Sequence, residues 1–152
     1  MSSPLFVKNS ISINAPIPKV WDALVNPEQT KKYMFGCEAL SDWTVGSPLV
    51  WKGVFNGVEV IAVKGKIVDI IPQKFLAYTT IDPNDPSVPD LPENYLTVHY
   101  ELSEENGHVV LTATQGDFAK VGGGEKRYQE TVGGGGWEPI LVEIKKMLEA
   151  GQ

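Results

Sequence analysis

Catalysis would need a nucleophile beside a base, a metal set or paired acids. His99, His108, Cys37, Glu59 and Asp69 are the raw material this sequence of 152 residues offers for it. Side chains alternate along a strand, so in Thr97-Val-His-Tyr-Glu-Leu102 the residues Val98, Tyr100 and Leu102 share one face, and Thr97, His99 and Glu101 the other. With the apolar face turned inward, His99 points to solvent. His108 follows the turn signal Asn106-Gly107 and is expected at the surface. Two histidines so placed, without a carboxylate cluster, predict no metal site. Cys37 is the only cysteine, which excludes an intramolecular disulfide and a cysteine-based metal cluster. Its context, Phe35-Gly-Cys-Glu38, has no neighbouring His or Lys to favour a thiolate. Glu59 and Asp69 lie in one long strand and are read as solvated rim charges. A Gly-x-Ser-x-Gly turn is absent, and neither glycine run has phosphate-loop spacing. No catalytic residue, metal ligand or cofactor is assigned, and the chain reads as a binder rather than an enzyme.

The strands instead supply an inward set of another kind. Trp51 shares a face with Leu49, Tyr78 with Leu76, Tyr100 with Val98, and Gln115 with Ala113 and Leu111. Aromatic rings with polar tips and one amide, set among aliphatic residues, suit a cavity that is apolar apart from a few orienting hydrogen bonds. A plain core, with the tyrosine hydroxyls bonded to the backbone, would use the same residues. Trp137 and Leu141, on a terminal amphipathic segment, complete the expected lining of Trp51, Tyr78, Tyr100, Gln115, Trp137 and Leu141.

These side chains need elements to hold them. A strand over 5–13 leads to Pro16 and Pro18, which fit a helix's first turn because its N–H groups lack intrahelical partners. Asn26-Pro27 ends that helix and starts another, so two short helices are predicted over 17–25 and 27–34. Strands follow over 49–55 and 58–70, joined by Asn56-Gly57, a hairpin signal because both central positions need positive φ. Gly65 inside the second of these marks a bend or bulge. Further strands are predicted over 74–81, 95–102 and 109–116. Residues 82–94 hold four prolines in thirteen, so they form a loop, since proline lacks a ladder donor. Gly122-Gly-Gly124 and Gly133-Gly-Gly-Gly136 bracket a polar stretch. Four helical glycines cost about 4 kcal/mol against alanine, which burial of Trp137, Ile140, Leu141, Ile144 and Leu148 can offset. One helix over 124–149, weakened at 133–136, is therefore predicted. The glycine-weakened segment 122–136 and the 82–94 loop are expected to frame an entrance.

Length predicts one domain over 1–152 with a sizeable core. Hydrophobic content of 42% and charged content of 21% are those of a soluble globular protein. A net charge of −6, with basic residues only in pairs, argues against nucleic acid or an anionic membrane as partner. No apolar run reaches 18 residues and the start lacks a secretory pattern, so a cytoplasmic protein without a membrane span is expected.

The run Asn14-Ala-Pro-Ile-Pro-Lys-Val-Trp-Asp-Ala-Leu-Val-Asn-Pro-Glu28 resembles the opening of proteins related to the activator of the 90-kDa heat-shock chaperone ATPase. So do Gly46-Ser-Pro-Leu-Val-Trp51, Gly65-Lys-Ile-Val-Asp-Ile-Ile-Pro72 with Leu76-Ala-Tyr78, and Val98-His-Tyr-Glu-Leu102. Gly136-Trp137 with Leu141, Ile144-Lys145 and Leu148-Glu149 extends the match to the end of the chain. The resemblance implies an α+β helix-grip fold. About six to seven antiparallel strands would curve around a long C-terminal helix, as in START lipid-transfer domains, aromatic polyketide cyclases and birch-pollen allergens. The fold leaves three functions open. Binding of a hydrophobic small molecule or lipid-like ligand comes first, a co-chaperone-like module for the 90-kDa chaperone second, and a cyclase- or hydratase-like enzyme third.

Overall fold

The structure is a computed structural model and describes residues 4–150. Strand β1 (Val7–Ile13) is followed by helices α1 (Ile17–Val25) and α2 (Pro27–Tyr33), then by β2 (Glu38–Ser41), β3 (Pro48–Phe55), β4 (Val58–Ile71), β5 (Phe75–Thr80), β6 (Leu96–Glu105) and β7 (His108–Gly116). Two further helices, α3 (Gly124–Gly133) and α4 (Glu138–Ala150), end the described chain. The seven strands form one antiparallel sheet in the order β1-β7-β6-β5-β4-β3-β2. It is the α+β helix-grip-like architecture expected, with α4 packed on β1 and against α1 and α2. No helix among the described residues is long and apolar enough to cross a membrane.

Local chemistry accounts for most element ends. Pro16 caps α1 in extended conformation, and the Asn26 side chain accepts from the Glu28 N–H (3.0 Å) to start α2. Asn56 (φ 53°) and Gly57 (φ 76°) make the tight β3–β4 turn, as Asn106 and Gly107 do between β6 and β7. Thr30, fully buried on α2, accepts from the Ala39 N–H (2.9 Å) and donates to the Cys37 carbonyl (3.3 Å), tying α2 to edge strand β2.

Sheet curvature centres on Gly65. The β3–β4 register shifts between Trp51 and Lys52, leaving Ala62 unpaired, and the β4–β5 register shifts between Ile67 and Asp69 around Val68. Bulges bend a strand and raise its twist. Between them β4 and β5 crowd together, and a Cβ on Gly65 would lie 1.7 Å from the Thr79 carbonyl oxygen. Thr79 Oγ1 accepts from the Lys66 N–H (3.1 Å), replacing a ladder bond.

The terminal helix is two helices, not the single one over 124–149 that the sequence suggests. Gly135 sits at φ 94° and Gly136 at φ 62°, outside the helical region. The Gly136 N–H reaches back to the Thr131 carbonyl (2.9 Å) and the Gly135 N–H to that of Val132 (3.0 Å), the bonding of a glycine-terminated helix end. Burial of the apolar face of 137–148 did not extend α3, because the left-handed glycines drop Trp137 onto β1, where its N–H donates to Asn9 Oδ1 (2.9 Å). Gly134, at φ −88°, differs from Gly135 and Gly136, since a Cβ at this position would meet nothing closer than 3.7 Å. Gly134→Ala should stabilise the protein by roughly 0.5 kcal/mol through the unfolded chain. Gly136→Ala, strained in φ and 2.8 Å from Asn9 Oδ1 and Val7 Cγ1, should destabilise it by roughly 2–3 kcal/mol. Urea unfolding of both variants reads the difference, and equal effects would refute this account of the break.

The proline-rich loop is pinned from both sides. Asn94, buried at the end of a 3-10 turn over Pro92–Asn94, donates to the Pro89 carbonyl (2.9 Å) and accepts from the Gly122 N–H (2.8 Å), while its own carbonyl accepts from Arg127 (3.0 Å). Lys64 pairs with Asp90, and the Tyr95 hydroxyl donates to the same carboxylate (2.6 Å), which lowers the Asp90 pKa. Ile81 and Val88 are buried. The loop braces the start of α3.

Candidate functional site

A cavity of about 300 Å³ lies on the concave face of the sheet. The sheet contributes Trp51, Ala62, Val63, Tyr78, Thr80, Val98 and Gln115 to its wall. The turn after α2 adds Met34, Phe35 and Cys37, and the α3–α4 junction adds Thr131, Gly136, Trp137 and Ile140. Strand register explains the sheet's share: Tyr78 pairs with Val98 and Val98 with Gln115, so the three stand side by side on the inner face. A larger depression of about 580 Å³ opens on the other face beside Lys64, Lys66 and Tyr95. Its Lys64 and Asp90 already neutralise one another, and no aromatic stack faces it, so the concave cavity is the stronger site.

An aromatic series runs across the concave face. Ring centroids are 6.2 Å apart for Trp51–Tyr78, 5.7 Å for Tyr78–Tyr100 and 5.6 Å for Tyr100–Trp137, the last two edge-to-face. The Tyr78 and Tyr100 hydroxyls are 2.7 Å apart. Burial pushes the pKa of each upward, and also that of Tyr33, whose hydroxyl donates to the Ala23 carbonyl (2.7 Å). All three phenols therefore stay protonated at neutral pH. The Trp137 indole N–H donates to Gln115 Oε1 (3.1 Å), fixing both side chains.

Of the residues singled out from sequence, Trp51, Tyr78, Gln115 and Trp137 meet around this space. Tyr100 and Leu141 are not in its wall: Tyr100 backs Tyr78 and Trp137, and Leu141 is buried in the core a turn into α4. None of 82–94 lines the cavity; the part of its wall outside the sheet comes from the α2–β2 turn and the α3–α4 junction. The expected lining did not include Met34, Phe35, Cys37, Ala62, Val63, Thr80, Val98, Thr131, Gly136 or Ile140. The signal for the first three was local: Phe35 (φ 55°) and Gly36 (φ 84°) make a turn that swings the chain back over the sheet, but only the fold gives it a direction.

Among the described residues, the wall carries no Asp, Glu, Lys, Arg or His side chain. Burial raises the pKa of the Cys37 thiol, which keeps it protonated. His99 is on the outer face as expected, half-buried against the Phe75 ring (centroids 5.6 Å) with Nε2 3.3 Å from Glu101. Glu59, paired with Lys52, and Asp69 are exposed. Among the described residues no group of three His, Cys, Asp or Glu side chains could hold a metal ion. The cavity offers apolar area and hydrogen bonds, with no base for proton transfer.

Known proteins agree with this architecture. A protein from Cytophaga hutchinsonii, known from its solution structure, is 38% identical and superposes with a TM-score of 0.75 over 99% of this chain and 97% of its own. The Aha1 dimer of Colwellia psychrerythraea (19% identity, TM-score 0.68, 97% and 98% covered) and CalU16 of Micromonospora echinospora (20%, 0.63, 93% and 71%) share the fold. No protein of curated function matches the sequence. The sequence model described as "Activator of Hsp90 ATPase homolog 1-like protein" matches residues 14–149, and this chain belongs to that family.

Proposed function

We propose that the protein binds a hydrophobic small molecule or lipid-like ligand in the concave cavity. The observation that carries this reading is a space of about 300 Å³ walled by Trp51, Tyr78 and Trp137, at the lower end of the roughly 300–1,000 Å³ range of small-molecule sites. Native mass spectrometry of protein purified from its host, with a thermal-shift screen of hydrophobic compounds, tests it. A ligand at a hundred times its Kd should stabilise the fold by about 2.7 kcal/mol, roughly 5–10 °C in Tm. Absence of any co-purifying mass together with an unmoved Tm across the screen would overturn the reading.

Membership of the family favours a second reading, docking on the 90-kDa heat-shock chaperone. Pull-down with the host chaperone and an ATPase assay separate the two. Stimulation that persists with the cavity filled would place the function on the surface. An enzyme of the cyclase or hydratase kind needs a general base, and the cavity wall supplies none.

A further inference from the structure

Trp137 Nε1 is a donor only, so the Gln115 atom 3.1 Å from it is the amide oxygen. That assignment leaves the Gln115 NH2 group as the free end of the side chain. Among the described residues it has no protein partner, and no buried side-chain nitrogen or oxygen is unpaired. The NH2 therefore keeps accessible surface, and Gln115 is half-buried in the cavity wall. Its two N–H groups are donors awaiting an acceptor.

The tyrosine pair adds no second donor. Tyr78 and Tyr100 are each 2% exposed, and their hydroxyls bond one another at 2.7 Å. Tyr78 and Gln115 flank Val98 on one register row, so the Gln115 amide stands in the wall beside the Tyr78 ring.

We infer that the cavity selects neutral carbonyl compounds on an apolar skeleton, their oxygen accepting from the Gln115 NH2 group. An anionic ligand would enter a wall without a cation, and an ammonium one a wall without a carboxylate. A pure hydrocarbon would leave the donors unpaired. The inference rests on the cavity reading and narrows it to a ligand class.

Three probes with one ring system test it: 2-acetylnaphthalene, 2-ethylnaphthalene and 2-naphthoate, titrated by ¹H–¹⁵N NMR into the unaltered protein, Gln115→Met and Tyr78→Phe. The ketone should shift the Gln115 side-chain NH2, and 2-naphthoate should bind more weakly than the ketone. The ratio of ketone to hydrocarbon affinity should fall about fivefold in Gln115→Met, with Tyr78→Phe as the control. Partition alone favours the hydrocarbon, so the change in ratio is the readout rather than its value. Binding of ketone and hydrocarbon with a ratio unchanged in Gln115→Met would overturn the inference and leave the cavity reading standing. Preference for 2-naphthoate would overturn it too. Failure of all three probes to bind the unaltered protein would count against both. If Gln115→Met does not fold, the ranking of ketone against 2-naphthoate on the unaltered protein still decides.

Discussion

Trp137→Ala should destabilise the protein by about 3–5 kcal/mol, the cost of emptying a large aromatic site in a packed interior. Trp137 is 7% exposed, and its ring meets Tyr100 edge-on at 5.6 Å while its N–H holds the Gln115 amide at 3.1 Å. Removal opens the cavity floor and frees Gln115 to turn. In a chain of this size, that loss should lower Tm by roughly 10 °C. Trp137→Phe separates the contributions. It keeps an edge for Tyr100 and most of the apolar area, so most of the stability should return, but Gln115 Oε1 loses its donor. The two variants, followed by thermal and urea unfolding, should therefore differ by about 2 kcal/mol or more. If alanine costs less than about 1 kcal/mol, the ring is not packed as described and the cavity floor is mobile.

The other large effect lies in the sheet. Gly65→Ala should cost more than about 4 kcal/mol, because its Cβ would lie 1.7 Å from the Thr79 carbonyl oxygen, a backbone atom that cannot rotate away. Relief would require β5 to move outward by more than an ångström. Tyr78, next along β5, would be carried with it and the cavity wall would open. A matched control is Gly36→Ala, at φ 84° with no atom within 4 Å, which carries backbone strain alone and should cost roughly 1 kcal/mol. Chemical denaturation compares them directly. Similar values for both would mean that β4 and β5 are not pressed together at this point.

Concave curvature, the braced α3 and the glycine junction serve one end. The bulges at Ala62 and Val68 bend β4 around Gly65, the Asn94 bonds hold α3 from behind, and Gly135–Gly136 set Trp137 down on β1. Each acts at a different wall of the same cavity. On the proposed binding function, ligand specificity is expected to change most with substitutions at the α2–β2 turn and the α3–α4 junction, which are the parts of the wall outside the sheet ladder.

The sequence by itself determined most of the elements and their faces, though not the short edge strand β2 or the break between α3 and α4. Alternation placed Leu49 and Trp51, Leu76 and Tyr78, and Val98 and Tyr100 on one side, because the strand period of two is a property of the backbone. Asn56-Gly57 and Asn106-Gly107 located both tight turns, since positive φ at two successive positions admits few residues. Proline spacing separated α1 from α2 for the same local reason. Only the tertiary structure decided what those faces enclose. Tyr100 and Leu141 obey the inward pattern yet stand behind the cavity wall, because facing inward and reaching a void depend on how far neighbouring side chains extend. For the glycine run at 133–136 the sequence favoured a weakened but continuous helix. A bond from Trp137 to Asn9, 128 residues away in sequence, decided for the break. Local propensity cannot register a partner that only the closed sheet brings within reach.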